Sequence, residues 1–326
     1  MRVVCLAGGV GGAKLADGLQ QIVAPGELTV VVNTADDLER HGLTVCPDHD
    51  TVLYTLAGIA DPVQGWGITG ETFEVAAQLA RLGEETWFRL GDRDIATHLY
   101  RTERLRAGAR PTEVALELAG RLGVRTRILP MTDATVRTRV RTDAGWLDFQ
   151  DYFVCLHQEP EVREVRFEGV NAATVTPELR EAFRTAEVIV VAPSNPIVSI
   201  GPILAVPGLL AEIATARAGG VPAVGVSGIV SGKALRGPAD RMLAALGDEP
   251  SAMGVARRYA AVGLLDVFVI DRQDEALADT VRALGLEVVV TDTIMTDVAS
   301  RAALAREMVA AAVGRAAART TTGVRP

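Results

Sequence analysis

Aromatic residues make up only 4% of the 326 positions, and the chain has 3 cysteines and 4 histidines. The cysteines (Cys5, Cys46, Cys155) are odd in number, far apart and never spaced as a C-x-x-C pair. That excludes a disulfide framework and a cysteine–histidine zinc cluster. Positive charge is in deficit: 41 acids face 33 lysines and arginines, a net charge of −8. No global field draws the chain to nucleic acid or an anionic membrane. No apolar run approaches the ~18 residues that cross a bilayer, although mean hydropathy is +0.22. The segment MRVVCLAGGVGG enters a strand-like run without a separate apolar stretch and cleavage site. No secretory signal is expected from it, and a cytoplasmic location is.

What the chain does have is alternation. Short, mainly apolar runs (2–7, 28–32, 188–191, 223–226, 267–270 and 288–290) lie beside alanine- and leucine-rich stretches of helical period at 13–22, 203–217, 233–246 and 275–284. Strands apolar on both faces and separated by helices form a parallel sheet covered on both sides. The expected fold is α/β, a doubly wound, mostly parallel, Rossmann-like sheet. Residues 50–59, 72–82 and 111–122 are amphipathic, and 136–140, 145–149 and 162–167 alternate as antiparallel strands do. The spacing therefore predicts a core of residues 1–40 and 186–313, an α+β insertion at 41–185 and a flexible tail at 314–326.

The chemistry-bearing residues cluster where strands end. Gly8, Gly9, Gly11, Gly12 and Lys14 sit between the first strand and first helix. Glycines there let a phosphate approach backbone N–H groups at a helix start, worth ~0.3–1 kcal/mol at a surface. Lys14 is followed by Leu15, so this is no Walker A loop. The second strand ends in Asn33 rather than an acidic ribose ligand, so the dinucleotide fingerprint is imperfect, yet Asn33 stands at the carboxyl edge of the sheet and is expected to contact the nucleotide. Asp37, Asp48 and Asp50 follow, as oxygen ligands for Mg²⁺, with Asp50 equally suited to cap a helix or take a proton. Arg89 and Asp92, in FRLGDRD, form either a solvated turn or a clamp for anionic oxygens and hydroxyls. Ser194, Asn195, Pro196 and Ser199 form a stiff polar turn after a buried strand, and Gly228 and Lys233 repeat that theme after the next one. Trp66, between two glycines, is placed to border a planar ligand.

Together these segments resemble the 2-phospho-L-lactate transferase family of deazaflavin coenzyme (F420) biosynthesis. The likeness runs from AGGVGGAKL through NTADD, CPDHDTVLYTLAG, WFRLGDRDIATHL, FQDYFV, APSNPIVSIGPIL and SGKALRGPADRM. The resemblance implies a guanosine diphosphate-linked donor attacked by the ribityl hydroxyl of the deazaflavin Fo, with Mg²⁺ assisting and GMP leaving. It places Fo against Asp50, Arg89, Asp92 and Trp66. It places the nucleotide along the glycine loop, Ser194–Pro196 and the 227–233 loop. The resemblance leaves the donor acid as phosphoenolpyruvate or 2-phospho-L-lactate, and a homodimer is expected. Two rivals remain at this stage: a non-catalytic sugar-nucleotide-binding regulator and a nicotinamide dehydrogenase.

Overall fold

The computed structural model describes the backbone of residues 1–322 and the side chains through residue 318. Seven parallel strands form the central sheet: β1 (Val3–Ala7), β2 (Leu28–Val32), β3 (Arg127–Pro130), β4 (Val188–Val191), β5 (Ala223–Val226), β6 (Val267–Asp271) and β7 (Glu287–Thr291). Their spatial order is β3-β2-β1-β4-β5-β6-β7. Direction of winding reverses between β1 and β4, whose registers pair Val3 with Leu28 on one side and with Val188 on the other. This is the doubly wound α/β arrangement, with its switch point at the carboxyl ends of β1 and β4.

The continuous apolar runs follow from burial on both faces. Along β1, Val4 and Leu6 join one apolar core, while Val3, Cys5 and Ala7 join the other. The second core is closed by α1 (Gly9–Ile22), by α2 (Pro47–Leu56) and by the C-terminal helix Val298–Thr322. Gly18 makes that packing close: a methyl group there would lie 2.2 Å from the Arg301 carbonyl oxygen. Among the described residues no helix is long and apolar enough to cross a membrane.

Three expectations need correction. The stretch 41–185 is not a single insertion, because β3 pairs with β2 from Thr29–Arg127 to Val32–Pro130 and belongs to the core sheet. Its arginine and terminal proline disguise it, and both are tolerated because it is an edge strand. The true excursions are a helical part between β2 and β3 and a three-stranded antiparallel sheet, Arg137–Thr142, Gly145–Asp148 and Glu164–Glu168. The expected tail from 314 is helical through Thr322, and 323–326 lie outside the described residues. The long helices expected at 203–217 and 233–246 are interrupted at Val206-Pro207-Gly208 and Arg236-Gly237-Pro238, leaving Leu209–Ala218 and Ala239–Ala245.

Candidate active site

A cavity of about 670 Å³ opens at the switch point. On the core side it is walled by Gly8, Gly9, Gly11, Lys14, Ser194, Asn195, Ser199 and Gly228. Gly8 donates its N–H to Ser194 Oγ (3.0 Å), and the Ser194 hydroxyl donates back to the Gly8 carbonyl (2.8 Å). A methyl group on Gly11 would lie 2.5 Å from the Pro193 carbonyl oxygen, and one on Gly228 3.1 Å from it. Three loops, after β1, β4 and β5, thus converge on one proline. Gly8 offers α1 no side-chain cap and no acid occupies its first turn; the Gly9 N–H goes to Asp48, and the N–H groups that follow can face an anion.

The other half of the cavity is more apolar. Trp66, Phe88, Leu90, Phe149 and Phe153 line it with Arg89 and Asp50. Phe149 and Phe153 stack at 5.4 Å, and the Arg89 guanidinium lies 4.1 Å over the Phe73 ring. Asp50 is buried at the start of α2, where Pro47 presets the first turn. Both its oxygens are held by Arg101, from α4 (Asp92–Arg106), with Oδ2 3.0 Å from Nη1. His49 and His98 approach Asp50 at 3.4 and 3.6 Å. Burial alone would raise the Asp50 carboxyl, but Arg101 overrides it and, with the histidines, holds it well below the carboxylate range.

Behind the glycine loop lies a separate acidic group. Asn33 is fully buried and donates its amide to Asp36 (2.9 Å), Asp48 (3.0 Å) and the Val198 carbonyl (3.2 Å). It organises acids rather than reaching the cavity. Burial pushes the Asp36 carboxyl well up, and Asp48 beside it adds to the shift. Burial raises Asp48 too, against hydrogen bonds from Asn33 and the Gly9 N–H. Burial lifts Asp37 to about 7, but it lines a different pocket of about 230 Å³ with Arg40, Trp87 and Arg137.

The family profile of 2-phospho-L-lactate transferase CofD matches residues 3–311. A phosphoenolpyruvate transferase of Streptomyces griseus is 45% identical over 312 residues, covering 94% of this chain and 97% of the relative. A 2-phospho-L-lactate transferase of Methanosarcina mazei is 40% identical over 309 residues, covering 95% and 100%. The chain belongs to the CofD family. Its fold agrees: a UPF0052-family protein of Bacillus halodurans superposes with a TM-score of 0.62 at 15% identity, covering 94% of this chain and 98% of that one. The chain is a CofD-type transferase of F420 biosynthesis, and its cavity is continuous and two-sided.

Not every residue singled out from the sequence reaches that cavity. Gly12 backs onto Ser194 and Ala7, where an added methyl would meet heavy atoms at 2.8 and 2.9 Å. Pro196 is buried inside its turn and Lys233 is exposed on a short hairpin, both off the wall. The Asn195 side chain accepts from the N–H groups of Ile197 (2.9 Å) and Val198 (3.3 Å), shaping the loop. Lys14 donates to the Met295 carbonyl (2.9 Å), and burial, Arg301 and Arg236 lower its pKa. Asp92 is half-buried off the cavity wall and accepts from the N–H groups of Glu74 and Val75, capping α3 (Glu74–Arg81). Glu71 does the reverse, accepting from Arg93 and Asp94 at the start of α4 (2.8 Å each). The sequence reading missed Arg101, Tyr54, Asp94 and the Thr293–Thr296 loop, all of which bear on the site; the last three line the cavity. The sequence signal for Arg101 was helical: it falls one turn beyond His98 and about two beyond Asp94 on the same face of α4.

A hard divalent cation fits Asp36 and Asp48. Their carboxylates share one amide donor, both shifts report uncompensated charge, and Asp36 Oδ1 is buried without a hydrogen-bond partner. Among the described residues, Asp50, Asp94 and His98 also bring ligand atoms within 4.8 Å of one another. That group is already compensated, Asp50 by Arg101 and Asp94 by the Tyr54 hydroxyl and His98 Nε2 at 3.2 Å. The expected trio Asp37, Asp48 and Asp50 does not assemble: Asp50 is paired to Arg101 and Asp37 lines the other pocket.

Proposed function

We propose that the enzyme joins a phosphoenolpyruvyl group, or its 2-phospholactyl counterpart, to the terminal ribityl hydroxyl of Fo, taking it from a guanosine diphosphate-linked donor. The hydroxyl oxygen forms a new bond to the phosphorus that carries the acid. The bridging P–O bond to GMP breaks, GMP takes the electron pair, and the hydroxyl proton is released. One observation carries this reading: a glycine-lined helix terminus and an aromatic, Asp50-bearing wall face each other across a single cavity.

In this reading the diphosphate lies against the N–H groups that open α1 and the Ser194–Ser199 turn, with Lys14 at its edge. The deazaflavin ring lies among Trp66, Phe88 and Phe153, with Arg89 over its polar rim. Asp50 accepts a hydrogen bond from the attacking hydroxyl and orients it. Its depressed pKa makes it a poor base and a steady acceptor. Mg²⁺ held by Asp48 and Asp36 would supply charge neutralisation at the diphosphate. The residues do the remaining work by position, since such transfers need alignment and electrostatic stabilisation more than a protein nucleophile.

Mass spectrometry of products from Fo, Mg²⁺ and each guanylylated donor tests the proposal. A phosphodiester of Fo with GMP released in equal amount is the expected result. Absence of any Fo adduct with both donors overturns it. The two donor acids differ by a double bond, a distinction worth only ~1–3 kcal/mol in a pocket, so both donors belong in the assay.

A further inference from the structure

Arg101 does not line the cavity, but it holds Asp50 and His98, which do. It is 4% exposed on α4, and its guanidinium reaches both Asp50 oxygens. It also reaches the Thr44 carbonyl (3.3 Å) and His98 Nδ1 (3.2 Å). Arg101 can only donate, so His98 Nδ1 is the acceptor and the ring proton sits on Nε2, which lies 3.2 Å from Asp94 Oδ1 without a hydrogen bond to it. Asp94 in turn accepts from the Tyr54 hydroxyl of α2. Asp50 is thereby clamped between two helices and the hairpin Leu38–Val45.

We infer that Arg101 is a positioning residue for acceptor binding: its planar fork fixes the Asp50 carboxylate so that one face meets the Fo hydroxyl. The inference rests on the proposed placement of Fo at Asp50. A two-pronged fork holds a carboxylate in one plane, whereas lysine offers a single point of charge and leaves the group free to rotate. Arg101 also supplies the counter-charge that lets an ionised Asp50 stay buried, so Asp50 enters the encounter with Fo already stripped of water. Nothing in this chain of contacts touches the glycine loop, so donor binding is independent of it.

The test is a double-mutant cycle on Fo affinity, followed by the deazaflavin absorbance, with GDP binding measured alongside. Arg101→Lys and Asp50→Asn are each expected to weaken Fo binding roughly tenfold or more while leaving GDP affinity within about twofold. In the Asp50→Asn background, Arg101→Lys is expected to change Fo affinity less than about twofold further, because the residue acts through Asp50. Under turnover, Arg101→Lys raises KM for Fo more than it lowers kcat. Additive losses in the cycle, or an unchanged Fo affinity in a variant that still binds GDP, overturn the inference. If Arg101→Lys does not fold, Arg101→Ala with added guanidinium replaces it, and recovery of Fo binding is then required. Failure of the wild-type enzyme to bind Fo at all defeats the underlying reading instead, so the two failures are separable.

Discussion

At the scale of single residues, two aspartates two positions apart have opposite electrostatic fates. Among the described residues no cationic side chain pairs with Asp48, which faces the glycine loop, while Asp50 is locked to Arg101. Asp48→Asn is therefore expected to cut turnover by about 100-fold or more and to raise the Mg²⁺ concentration needed for half activity, while Fo still binds. An initial-rate titration with Mg²⁺ checks it, and an unchanged midpoint would count against the cation site. The spacing P-D-x-D displayed both acids in the sequence, yet not which one would be neutralised. That depended on Arg101, some fifty residues away and brought in by α4. Asn33 shows the same limit. Its place at a strand end suggested a ligand contact, whereas full burial turned it into the hinge pin of Asp36 and Asp48.

At the scale of elements, what was legible was whatever a single run of residues decides for itself. The fully apolar strands, the glycine turn into α1 and the helix α5 (Pro111–Arg121) could be read because local pattern and burial agree there, whereas α2 starts at Pro47, ahead of the expected 50, so Asp50 lies inside the helix and does not cap it. The edge strand β3 could not, since pairing with β2 overrides its arginine and proline. Asp92 is ambiguous for a related reason: a carboxylate at the first position of a helix is as apt a cap as a ligand, and only the neighbouring α3 decides. The tight contact of the glycine loop gives a sharp expectation. Gly11→Ala forces the Pro193 carbonyl aside and should destabilise the fold by about 1–3 kcal/mol while weakening GDP binding. Thermal melting with and without GDP checks both effects. Loss of stability without loss of GDP affinity would detach the loop from nucleotide binding.

At the scale of the whole molecule, the buried acids set a pH dependence. Asp36, Asp37 and Asp48 hold protons more tightly when folded than when unfolded. Their contribution is greatest below the unfolded carboxylate range and declines as pH rises from about 4 to about 7. Asp50 acts in the opposite sense, and its stabilisation disappears only in acid. Metal-free enzyme should therefore melt lower at about pH 8 than at about pH 6, and saturating Mg²⁺ should flatten the difference. Melting curves at the two pH values, with and without the ion, are the measurement. The reciprocal caps of Glu71 and Asp92 have a consequence of another kind. No residue of α3 is buried, so this helix beside Arg89 is latched to the body by two carboxylates instead of by apolar packing. A latch held by charge should loosen in brine or acid while the sheet stays intact, so this helix is expected to let go first and leave every core side chain where it was.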